Sequence, residues 1–133
     1  MINVTRKDVM GSSLIGPGWF PVIATKVVTK PANTDQSTNF VFSLQCIDPE
    51  LKDIRIKDFL INEKGIFSTG MNFLVAAGVP REVLEKIKKK EMDNAPIDEN
   101  QLLNKPMKAF IANTTFNNRT SNEATDFMPL EQK

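Results

Sequence analysis

Two stretches of the chain alternate apolar and polar residues with a period of two. In the first, Phe40, Phe42, Leu44 and Cys46 share one face and Val41, Ser43 and Gln45 the other, which predicts a half-buried strand. In the second, within residues 53–62, Ile54 and Ile56 face away from Arg55 and Lys57, which predicts a third strand carrying two outward cations. Ahead of both, Trp19 to Thr29 is rich in aromatic and β-branched residues and predicts a first strand beginning near Trp19. Met107 to Thr115 reads as a fourth strand and Ala124 to Leu130 as a short fifth, with the turn-forming run Asn117 to Asn122 between them.

Beyond Gly65 the period lengthens. Phe67, Met71, Phe73, Leu74 and Ala77 suit a helix closed by Gly78, and Pro80 can open a second. The second carries Val83, Leu84 and Ile87 on one stripe and is expected to end near Glu91. Asp93 to Asn104 is polar, with a short helical turn around Gln101 to Leu103. At the start of the chain, Thr5 and Asp8 have the spacing of a helix cap, and Gly11 to Gly18 then breaks any short helix there. Lys30 to Ser37 is polar and turn-forming, and reads as a protruding loop.

The resulting order, β-β-β-α-β-β, excludes a doubly wound parallel sheet, because strands and helices do not alternate. It fits a mainly β fold with a helical insert. The form expected is a five-stranded antiparallel OB-fold-like barrel with its helices between strands 3 and 4, against the alternative of a sandwich with an inserted helix. Residues 1–133 are expected to form a single domain, with 1–17 an N-terminal arm or short helix, 18–130 the barrel, and no C-terminal tail.

Composition narrows the chemistry. Seventeen Lys plus Arg against sixteen Asp plus Glu leave a net charge of +1, so contact with nucleic acid must come from a local patch. There is no His and no Tyr, which removes the commonest general base and metal ligand and a further acid-base group. The single cysteine, Cys46, can form neither an internal disulfide nor a thiolate zinc cluster, which suits a reducing interior. With no apolar run suited to secretion or to spanning a bilayer, the protein is expected in the cytoplasm, away from membranes.

Several constellations have stronger structural explanations than chemical ones. Gly11 to Gly18 offers Gly-x4-Gly, but Pro17-Gly18 stands where a phosphate-binding loop needs Lys then Ser or Thr. Cys46 sits in the apolar register and has no His to activate it. Asp48, Glu50, Asp53 and Asp58 suggest a magnesium site less readily than solvated turns. The Lys86 to Lys90 run is flanked by Glu82, Glu85 and Glu91 and suits a helix C-terminus. No catalytic residue, metal or cofactor is expected, although carboxylates with a metal keep a nuclease as a third alternative.

Single-stranded nucleic acid needs cations for phosphates and exposed rings for bases. If strands two and three bury their apolar faces, Arg55 and Lys57 share the opposite face with Ser43 and Gln45, the usual ligand face of an OB-fold. Lys26 and Lys30 approach the first loop, Phe116 and Arg119 sit in the last, and Lys108 joins them. Phe116 and Trp19 are the stacking candidates, with core burial the competing role for both Trp19 and Phe59.

Gly18-Trp19-Phe20, Thr29-Lys30-Pro31-Ala32, Ser37-Thr38-Asn39-Phe40, Asp58-Phe59 and Asn122 to Pro129 resemble, over nearly the whole chain, a family of small bacteriophage proteins from replication and recombination modules. The resemblance implies an OB-like barrel and single-stranded DNA binding in the host cytoplasm, with phage or host replication proteins as further partners. With Pro129 to Lys133 as its last residues, the chain is not expected to use the acidic tail by which better-known single-stranded DNA-binding proteins recruit replication enzymes. The reading is therefore a non-catalytic, sequence-tolerant DNA binder that self-associates. The alternative is a protein-interaction module of a phage replication or assembly complex.

Overall fold

A strand of fourteen residues, β1 (Gly18–Pro31), runs through the middle of the sheet. Its first part, Gly18 to Val22, pairs antiparallel with β4 (Met107–Phe116). Val22 to Pro31 pair with β2 (Thr38–Cys46). Within the second part the register slips at Ala24/Lys26, and such a bulge bends a strand and increases its twist. Adding β3 (Phe59–Asn62) to β2 and β5 (Arg119–Pro129) to β4 completes one five-stranded antiparallel sheet, in the order β3-β2-β1-β4-β5. The computed structural model describes residues 1–3, 14–32, 37–66, 68–90 and 96–130. The expected helix near Thr5, the tip of the first loop and the last three residues lie outside them.

Among the described residues no ladder joins β3 to β5. The two ends of the sheet meet through one isolated parallel bridge, Ile56 to Asn122. Between β3 and β4 in the chain come α1 (Ser68–Ala76), α2 (Arg81–Lys88) and a 3-10 turn at Glu99–Leu102. In space α1 lies on β5, where the Thr69 hydroxyl donates to the Thr125 carbonyl at 3.4 Å and Asn72 Nδ2 to Asp126 Oδ1 at 2.8 Å. Gly78 takes φ 109° after α1, and Val79 N–H returns to the Leu74 carbonyl at 3.0 Å, closing the helix as a left-handed residue does.

The sheet's inner face and the helical segment enclose the core. Phe42, Phe59, Phe73 and Phe127 form its aromatic centre, with ring centroids 4.7–5.2 Å apart. Val22, Phe73, Met107, Ala109 and Ile111 have no exposed surface. Cys46 is buried on the inner register of β2 and forms no disulfide.

Element boundaries differ from the sequence expectations where a turn, rather than hydrophobicity, sets the limit. The third strand covers Phe59 to Asn62 instead of 53–62. Asp48 to Ile54 is folded into successive turns, with Leu51 N–H bonded to the Asp48 carbonyl and Ile54 N–H to the Leu51 carbonyl. Ile54 and Ile56 are still buried, so their alternation reports inward facing and not ladder pairing. The fifth strand begins at Arg119 rather than Ala124, because Asn117 and Asn118 take φ 51° and 63°, the conformation of a two-residue hairpin turn. α2 stops at Lys88, short of Glu91, and Lys90 takes φ 62°.

The bridge at Ile56 is reinforced by the side chain of Asn122, itself 2% exposed. Its Oδ1 accepts from Ile15 N–H at 3.0 Å and from Asn113 Nδ2 at 2.9 Å. Its Nδ2 donates to the Arg55 carbonyl at 3.0 Å, and its backbone carbonyl accepts from Lys57 N–H at 2.8 Å. One amide thus ties the segment before β1, strand β4 and the segment before β3 to β5. Truncating it strands buried partners, each at about 1–3 kcal/mol. Asn122→Ala is expected to lower unfolding free energy by about 3 kcal/mol in urea titrations, against about 1 for Asn113→Ala. Equal losses would show that the junction carries no special share of the stability.

Candidate nucleic-acid interface

Alternation along a strand sends successive side chains to opposite faces. Register therefore shows what shares the outer surface of β1, β2 and β3. With Val27, Phe42 and Ile61 turned toward the core, three rows face outward: Lys26 beside Ser43; Val28 beside Val41 beside Leu60; and Lys30 beside Asn39 beside Asn62. Val28 is 37% and Leu60 51% exposed. Asn62 Nδ2 donates to Asn39 Oδ1 at 2.7 Å and to Ser37 Oγ at 2.8 Å. These bonds fasten the base of the first loop to the sheet. The surface is an aliphatic row with an exposed lysine of β1 on either side.

Arg55 and Lys57 are both exposed, on either side of buried Ile56. No ladder joins their segment to Ser43 and Gln45, whose face they were expected to share. Those two residues pair with Lys26 and Ile23 of β1, and Gln45 Nε2 donates to the Lys52 carbonyl at 3.2 Å. The bridge to Asn122 instead places Arg55 and Lys57 beside β5. From Lys57 the chain runs directly into β3 and reaches Leu60 three residues later, so this cation leads into the far end of the aliphatic row.

The remaining candidates occupy two other places. Trp19 is 41% exposed on the outer side of β1, opposite Phe110 of β4, whose ring it meets edge-on at 5.5 Å. Lys108 occupies the next outward row, between Pro21 and Met128. Phe116, 76% exposed, and Arg119 face each other at the tip of the β4–β5 hairpin. Six residues of strand separate Phe110 from Phe116, a span of about 20 Å. The eight cations and rings thus gather as four pairs, Lys26 with Lys30, Arg55 with Lys57, Trp19 with Lys108, and Phe116 with Arg119, rather than as one cluster.

Phe59 belongs to the core, its ring lying 5.2 Å from that of Phe73 and 4.7 Å from that of Phe127. Asp48 serves its own turn, where Oδ1 accepts from Glu50 N–H at 2.9 Å. Among the described residues no three acidic or cysteine side chains converge in a way that could hold a metal ion. Among them, too, no helix is long and apolar enough to cross a membrane. Sequence reasoning overlooked Val28, Leu60 and Phe110 as surface residues. The signal for Val28 and Leu60 was the non-core face already assigned to Val41, but only the register places them beside it.

No protein-family model matches the chain, and no curated protein is significantly similar to it. Its site is therefore described by its own geometry. That geometry separates the two rings whose roles the sequence left open. Phe59→Ala is expected to cost about 3–5 kcal/mol of stability, as for other large core truncations. Trp19→Ala should cost less than Phe59→Ala, because Trp19 is already 41% exposed and its edge-to-face pair adds only about 0.5–1.5 kcal/mol. Chemical denaturation followed by circular dichroism compares the two, and equal losses would place Trp19 in the core.

Proposed function

We propose that the protein binds single-stranded DNA without catalysis and without sequence preference, as part of phage replication or recombination. In this reading the bent sheet acts as an OB-like barrel, and the strand crosses the outer surface of β1, β2 and β3. Nucleic-acid-binding OB-folds are partly open five-stranded barrels that use their second and third strands and the flanking loops. Two features support the likeness: a central β1 paired on both sides, and a single bridge between the sheet's ends.

The observation that carries the reading is the aliphatic row Val28, Val41 and Leu60, with Lys26 and Lys30 beside it and Lys57 and Arg55 leading to its far end. Apolar surface takes base faces while cations take phosphates, and released counterions drive association. Phe116 at the tip of the β4–β5 hairpin and Trp19 on the other half of β1 would stack bases beyond this row. Because the row is aliphatic and the net charge only +1, a protein-interaction module is the second reading.

Fluorescence anisotropy of a labelled oligonucleotide, measured across a salt series with duplex as competitor, tests the proposal. Strand-selective, salt-sensitive binding is expected. Lys26→Ala with Lys30→Ala should flatten the slope of log affinity against log salt by about 1.4, at about 0.7 for each phosphate no longer neutralised. Arg55→Ala with Lys57→Ala should do the same. An absence of binding at low salt would overturn the reading, and binding with unchanged slopes would overturn the assigned surface.

A further inference from the structure

A small cavity lies where the inner side of β2 and β3 meets α1 and the 3-10 turn. Phe42, Ile61, Leu74 and Leu102 are among the residues that wall it, and Glu63 and Glu99 stand at its edge. These four apolar residues are each at most 6% exposed, whereas Glu63 is exposed and Glu99 half-exposed. Glu63 is held in place, since its Oε1 accepts from Thr38 N–H at 2.8 Å.

The cavity measures about 90 Å³. That is roughly three water volumes and well below the ~150 Å³ of an engineered cavity that admits benzene, so the space suits a branched aliphatic group and not a ring. The lining is mostly apolar, and filling the space removes apolar surface from water. The two carboxylates at the opening decide the charge of what enters. Nucleic acid would bring phosphates against them, and an aliphatic group beside a carboxylate would meet the same repulsion. A cation next to the aliphatic group satisfies both conditions.

We propose that this cavity is a docking site for a partner protein segment, in which a leucine-like side chain enters between Phe42 and Leu102 and an adjacent Lys or Arg meets Glu63 and Glu99. Its strand residues Phe42 and Ile61 face the opposite side of the sheet from the outward rows, so the partner and a bound nucleic-acid strand need not compete. The proposal stands independently of DNA binding.

The test uses the whole chain with isotopically labelled Ile and Leu methyl groups and three peptides: acetyl-Lys-Leu-Lys-amide, acetyl-Lys-Ser-Lys-amide and acetyl-Glu-Leu-Glu-amide. The first is expected to shift the methyl resonances of Ile61, Leu74 and Leu102 saturably. The serine peptide should leave them in place. The acidic peptide should bind at least about threefold more weakly, the scale of one exposed ion pair. Glu63→Gln with Glu99→Gln keeps side-chain shape and the acceptor for Thr38, and should abolish the preference for the basic peptide. Failure of acetyl-Lys-Leu-Lys-amide to move these methyls would overturn the proposal. So would equal binding of the basic and acidic peptides, or a preference unchanged in the double variant. Methyl shifts that follow protein concentration without peptide would assign the cavity to a second copy of the chain and overturn it as well.

Discussion

The buried amide of Asn122 holds together two ends of a sheet that no ladder joins among the described residues. A bent sheet with unpaired edges leaves backbone donors and acceptors without partners, and such edges recruit other strands. Here a single parallel bridge at Ile56, which includes the bond from Lys57 N–H to the Asn122 backbone carbonyl, is supplemented by side-chain bonds of Asn122 to Ile15, Asn113 and Arg55. An amide suits the position because it donates and accepts at once, while a hydrocarbon there would orphan the Ile15 N–H. The exposed pair Arg55 and Lys57 owes its position to this junction, because Ile56 between them is held against β5.

Around that junction the inner and outer sides of the sheet do different work. The inner side is aromatic at its centre, where Phe42, Phe59, Phe73 and Phe127 meet edge-on or tilted. The rings link β2, β3 and β5 to α1 in one continuous group, so the helical insert contributes to the core rather than decorating it. The outer side carries the aliphatic row of β1, β2 and β3 with the β1 lysines beside it, and the Trp19–Phe110 pair on the other half of β1. The bulge at Ala24/Lys26 falls between these two outer regions of β1.

Local patterns were legible where one residue type has one dominant physical reason. The Phe40 to Cys46 alternation and the helix stop at Gly78 follow from side-chain period and left-handed backbone. The hairpin at Asn117-Asn118 was located but overestimated in length. The polar residues Thr120, Ser121 and Asn122 read as turn when judged one at a time, although paired strands accept them. The lysines of the candidate surface were visible as cations, but Val28 and Leu60 were not visible as their neighbours.

By itself, the sequence determined that the chain is mainly β with a helical insert, that it carries little of the usual acid-base equipment, and which residues alternate between core and solvent. Those properties are local, set by composition and by side-chain period within one segment. The tertiary structure alone decided that Ile54 and Ile56 are buried without forming a ladder, and that Asn122 is a buried junction rather than a turn residue. It also decided that Phe59 is core and Trp19 surface, and that Glu63 and Glu99 flank one apolar cavity. Each of these depends on register or contact between segments far apart in the chain, and no spacing within a segment encodes which partner it will meet.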